Sequence, residues 1–153
     1  MNFIAKEIYY PVFHDHRGYY RPLCKASDFP EIQWQECDIS VSHRGALRGI
    51  HGDAKTWKLV SCLQGEIFHV CVNDQGRHES RILSAYNHAV LIPPGVGNGI
   101  QIISDTAIFH YVQSELYPQP QFTWPWDGFG IDWPILPPIL SERDLQASKG
   151  FRP

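Results

Sequence analysis

No apolar stretch in this 153-residue chain reaches the roughly 18 residues that a membrane-spanning helix needs, so none is expected. Charge of either sign is also scarce. The 13 lysines and arginines against 16 aspartates and glutamates leave a net charge of −3, with no basic run and no arginine cluster. Nucleic acid, whose phosphates call for a concentrated basic face, is therefore not an expected partner, and the acidity is too weak to gather polycations. Cysteine is limited to Cys24, Cys37, Cys62 and Cys71, none in a CxxC spacing and with no secretory signal ahead of them. They are expected as reduced thiols of a cytoplasmic protein, mostly in the core, and neither a disulfide framework nor a zinc cluster is indicated. No repeat, linker or low-complexity tract divides the chain, so a single domain is expected over residues 1–153.

What is present is a good core-forming composition, 43% hydrophobic, with aromatics at 13%, 12 glycines and 12 prolines. A chain of this size hides roughly 70% of its unfolded surface, enough to fold without a staple. Aromatic and β-branched runs broken by turn residues favour strands over long helices. Strands are expected over 2–10, 34–41, 59–63, 66–73, 77–85, 89–92, 99–103 and 107–113, with turns at Gln64-Gly65, 73–76, 93–95 and 104–106. Only a short turn at 27–29 and an N-capped turn at 141–145 look helical. Such a series reads as an all-β antiparallel barrel or double-sheet jelly roll, in which a polar residue on the inward register lines a cavity.

The densest polar segment is 40–53, where an alternating strand passes into Gly45-Ala46-Leu47-Arg48-Gly49-Ile50-His51-Gly52-Asp53. In a regular strand Arg48, Ile50 and Gly52 share one face and His51 takes the other. Lys58 sits in Trp57-Lys58-Leu59-Val60, an apolar setting where a cation calls for a charged partner or an anionic ligand. In Phe109-His110-Tyr111-Val112 only one of the imidazole and the phenol can point into a barrel.

Taken in order, these segments resemble the dTDP-4-dehydrorhamnose 3,5-epimerase family of nucleotide-4-keto-6-deoxysugar epimerases. The resemblance rests on Phe13-His14-Asp15-His16-Arg17-Gly18-Tyr19-Tyr20, on 45–51, on Lys58-Leu59-Val60 with Gly65-Glu66-Ile67-Phe68, and on Ile92-Pro93-Pro94-Gly95. It ends with Gly130-Ile131-Asp132-Trp133-Pro134 and Leu140-Ser141-Glu142-Arg143-Asp144. It spans nearly the whole chain, as a short member with trimmed loops, and implies a cupin-like antiparallel jelly roll with short C-terminal helical turns. By resemblance His51 is the general base, Asp144 the carboxylate that orients it, Tyr111 the acid on the opposite sugar face and Lys58 the cation that stabilises the enolate. Arg17 and Arg48 are implied to grip the nucleotide diphosphate, partly from a neighbouring subunit, and Tyr117 to be a second tyrosine at the site; Arg17 can equally be a solvated surface residue. The chemistry suits those types. A carbon acid beside a ketone ionises only if the enolate is stabilised, a base near neutral pKa removes the proton, and a phenol returns one.

Two positions depart from the family pattern. Asn98 stands where the family has a histidine and His69 where it has an aspartate, so a coupled His69/Asn98 pair at the pocket is expected to reshape sugar specificity. A metal is not expected: His51-Gly52-Asp53 lacks the paired imidazole of metal-binding cupins, and His14 and His16 have no evident third ligand. The resemblance implies a cytoplasmic homodimer, joined through its N-terminal strands, that epimerises C3, C5 or both without a cofactor, in cell-surface polysaccharide (lipopolysaccharide) biosynthesis. A 3,4-ketoisomerase on the same substrates and a non-catalytic sugar-nucleotide-binding cupin are the alternatives.

Overall fold

The computed structural model describes residues 4–86, 88–117 and 120–149. In chain order the strands are β1 (Lys6–Ile8), β2 (Phe13–Asp15), β3 (Gly18–Tyr20), β4 (Glu36–His43), β5 (Leu47–Gly52), β6 (Lys58–Gln64), β7 (Glu66–Val72), β8 (His78–Ser84), β9 (Ala89–Ile92), β10 (Gly97–Ile102), β11 (Thr106–Gln113) and β12 (Phe122–Thr123). One helix, α1 (Glu142–Gln146), follows near the end. Two five-stranded sheets, ordered β1-β9-β6-β11-β4 and β12-β5-β10-β7-β8, face each other, and every pairing within them is antiparallel. This is the expected double-sheet jelly roll. β2 and β3 form a separate hairpin that the strand reading did not anticipate. The opening strand is shorter than the expected 2–10; residues 2 and 3 of that span lie outside the described residues.

Alternation along the strands sorts the side chains. On β7, Ile67, His69 and Cys71 point between the sheets, while Val70 and Val72 join an outer cluster. The inner core is Val60, Cys62, Ile67, Cys71, Leu83, Val90, Ile92, Ile100, Ile102, Ala107 and Phe109. Each outer face is also covered over part of its area, while Ile39 and Val41 on β4 stay exposed. Phe29 and Ile32 with Trp34 and Trp57 pack on Leu59, Ala89 and Leu91. Trp124, Trp126, Phe129 and Trp133 pack on Leu47, Ile50, Val70 and Val72. That double cover explains strands such as β9, in which all four residues are buried. It is also where all five tryptophans go, a fully buried large side chain stabilising by about 1.5–3 kcal/mol.

Two of the thiols are core residues, Cys62 and Cys71, whereas Cys24 is half-buried and Cys37 exposed; all four are free.

Candidate active site

The inner core does not fill the space between the sheets. At one end a cavity of about 650 Å³ opens, walled by β5, β6, β10 and β11 and closed over by 139–144. His51, Asp144, Tyr111, Lys58, Arg48, Asn98 and Tyr117 all line it.

His51 and Arg48 reach it together because β5 is not a regular strand. Pairing with β10 runs Asn98 to His51 and Ile100 to Arg48, so three steps on β5 span two on β10. This β-bulge cancels the expected opposition of the two side chains. It depends on glycine: Gly49 has φ +141°, and a Cβ there would lie 2.6 Å from Gly99 Cα. The turned-in backbone also presents the Gly49 N–H to Asp144 Oδ2 at 3.3 Å.

Asp144 comes from the far end of the chain. Ser141 caps α1 by accepting from the Asp144 N–H at 3.2 Å, which aims the carboxylate of the first turn inward. Only 2% exposed, it accepts from His51 Nε2 at 2.5 Å. Burial by itself would raise the Asp144 pKa, yet the His51 contact with the Gly49 and Ser141 bonds outweighs burial and holds it below the usual carboxylate value. An ionised carboxylate only accepts, so the His51 proton sits on Nε2 and Nδ1 is left as the basic atom.

Tyr111 faces inward on β11, and His110 faces out, its Nε2 3.1 Å from Cys37 Sγ and its Nδ1 3.3 Å from Ser61 Oγ. Burial, with Asp38 and Glu36 nearby, pushes the Tyr111 phenol up against the opposing charge of Arg48, so it holds its proton. Lys58 begins β6. Burial lowers its pKa, Asp53 opposes that, and Arg143 adds to it. Arg48 is held by donating from Nε to Ser42 Oγ at 2.9 Å.

Tyr117 stands at the rim, 62% exposed. Arg17 is not at this cavity: it lies on the β2–β3 hairpin, 79% exposed, paired with Asp15 at 2.6 Å. His69 and Asn98 do meet, His69 Nε2 lying 2.6 Å from Asn98 Oδ1. A residue given no role by the sequence, Arg143, also lines the cavity, donating to Thr123 Oγ1 at 2.6 Å and Gln121 Oε1 at 3.2 Å. Its adjacency to Asp144 in a capped turn was the available signal. Among the described residues no three His, Cys, Asp or Glu side chains are grouped to hold a metal ion, and no helix is long and apolar enough to cross a membrane.

A jelly roll that backs an imidazole with a buried carboxylate and sets a phenol and an ammonium around the same cavity is framed as a proton-transfer enzyme. The sequence model of the dTDP-4-dehydrorhamnose 3,5-epimerase family matches residues 5–150, and the chain belongs to that family. It is 32% identical to the dTDP-4-dehydrorhamnose 3,5-epimerase of Shigella flexneri, over 90% of this chain and 86% of that one. It is 35% identical to a dTDP-4-dehydrorhamnose 3-epimerase of Streptomyces niveus, over 76% of this chain and 62% of that one. Among solved structures it resembles the Legionella pneumophila 3,5-epimerase in complex with dTDP-4-keto-L-rhamnose, with TM-score 0.84, 27% identity and coverage of 94% and 92%. It also resembles a 3′-monoepimerase of Streptomyces bikiniensis in complex with dTDP-quinovose, with TM-score 0.85, 29% identity and coverage of 94% and 81%.

Proposed function

We propose that this protein inverts C3, C5 or both of a nucleotide-diphospho-4-keto-6-deoxyhexose, dTDP being the first nucleotide to test. The observation that carries this reading is the convergence in one cavity of the His51–Asp144 pair, the raised phenol of Tyr111 and the half-buried cation Lys58. His51 Nδ1 takes the proton from the carbon beside the ketone, and the C–H electrons move to the carbonyl oxygen. Lys58 stabilises that enolate and Asp144 the imidazolium. As the enolate collapses, Tyr111 delivers its proton to the opposite face of the carbon; solvent then reprotonates the phenolate and takes the proton from His51, which restores both groups. No electron changes hands, so the residues suffice without a cofactor. Arg48 and Arg143 supply positive charge for the diphosphate from within the chain.

Arg17 fits the reading as a residue given to a neighbour's cavity in a homodimer, because it sits on an exposed hairpin outside its own. Free thiols at all four cysteines agree with a cytoplasmic location.

Incubation with dTDP-4-keto-6-deoxyglucose in D2O, followed by NMR, tests the reaction. Deuterium is expected at C3, C5 or both, the pattern states which carbons react, and the coupling constants of the product state which of them invert. Absence of exchange at both carbons with the dTDP, CDP and GDP forms of the sugar alike makes the protein a binder and ends the enzymatic reading.

A further inference from the structure

Behind the cavity wall lies a second buried polar chain, and its hydrogen bonds fix which way one cavity side chain is turned. His69 on β7 is 0% exposed. Its Nδ1 lies 3.3 Å from Arg81 Nη1 and its Nε2 2.6 Å from Asn98 Oδ1. A guanidinium has N–H donors and no acceptor, so Nδ1 must be the lone-pair nitrogen and the ring proton must sit on Nε2. That N–H donates, so the Asn98 atom in front of it must be the carbonyl Oδ1. The other prong of the amide, Nδ2, is left pointing away from His69, on a residue that lines the cavity. Among the described residues no protein group accepts from it.

The chain behind is well anchored. Arg81 donates to Glu79 at 3.0 Å and Glu7 at 3.2 Å, and His88 lies 3.4 Å from the same Glu7 carboxylate. Cys71 Sγ flanks the imidazole at 3.8 Å and Arg81 at 3.7 Å, and Phe109 covers the ring. Burial, then the Arg81 charge, pulls the His69 pKa down to about 3, so the ring is neutral at working pH.

We propose that Asn98 is a fixed, non-titrating hydrogen-bond donor to an oxygen of the substrate's sugar, with His69 and Arg81 as positioning residues that lock its amide. Asn98 is the cross-strand partner of His51. The donor therefore stands beside the base, and the oxygen it holds decides which sugar carbon meets His51 Nδ1. This makes Asn98 a specificity determinant, and it rests on the reading of the cavity as a nucleotide-sugar site.

Calorimetric titration with dTDP and with dTDP-L-rhamnose separates the two. In Asn98→Ala the affinity for dTDP is expected to be unchanged and that for the sugar nucleotide to fall about tenfold, the worth of one donor. His69→Phe should reproduce part of that loss, and His69→Gln, whose amide N–H can still reach Oδ1, should recover it. In the wild type, 15N NMR of His69 should show the Nε2-protonated tautomer without titration from pH 5 to 8, a readout independent of whether the variants fold. Wild-type discrimination between the two ligands with an unchanged Asn98→Ala overturns the proposal alone, as does an Nδ1-protonated His69. A wild type that binds neither ligand overturns the cavity's reading, and the proposal with it.

Discussion

His51, His69 and His110 are all strand residues, and their neighbours give them different chemistry. His51 has a buried carboxylate on one nitrogen and open cavity at the other. His69 has both nitrogens engaged by neutral or cationic partners, and His110 is turned away toward Cys37 and Ser61. Replacing His51 by Asn, or Tyr111 by Phe, is expected to lower kcat on the order of 10²-fold or more, with the barrel still folded. Single-turnover kinetics beside thermal unfolding check this. His69 also makes stability depend on pH. Its folded pKa of about 3 lies below the unfolded 6.5, so acid favours the unfolded chain, which binds the proton more readily. This contribution is complete above pH 6.5 and is lost as pH falls toward 3. Between those limits unfolding stability should fall by up to about 1.4 kcal/mol per pH unit from this residue. Urea midpoints measured from pH 7 to 4 in wild type and His69→Gln check it; equal slopes in the two would refute the assignment.

At the scale of elements, the site is made by two local irregularities. The bulge in β5 turns Arg48 and His51 to the same side, and the cap of α1 aims Asp144 at them. Any Cβ at Gly49 meets the Gly99 backbone at 2.6 Å with φ at +141°. Gly49→Ala is therefore expected to cost roughly 2 kcal/mol or more, a fall in Tm of roughly 4–8 °C, and to part His51 from Asp144. Calorimetry with activity on the surviving fold measures both losses. Ser141→Ala is milder, about 1 kcal/mol from the lost cap. Its effect on kcat should exceed its effect on KM, because it loosens the carboxylate behind the base and leaves the arginines in place.

At the scale of the whole molecule, Arg17 is the residue that a single chain leaves outside its cavity. If it serves a partner's cavity, mixing inactive Arg17→Ala and His51→Asn proteins should restore activity to about a quarter of wild type, since half the pairs are hybrids with one intact site. Action in cis predicts no recovery. The sequence by itself determined that the fold is all-β, where most strands run, that α1 is capped by Ser141, and which residue types could move a proton. Those features are local: period-two alternation, glycine and proline turns and cap chemistry are written in neighbouring residues. It missed the β2–β3 hairpin and the β5 strand, whose glycines and polar residues mask alternation. Only the tertiary structure decided that Arg48 and His51 face one cavity, that Tyr111 and not His110 turns inward, and that Arg143 joins them. It also decided that Arg81 stands behind His69. Each depends on pairing across strands distant in sequence, where one extra residue in a ladder reverses a side chain and burial, not residue type, sets its protonation.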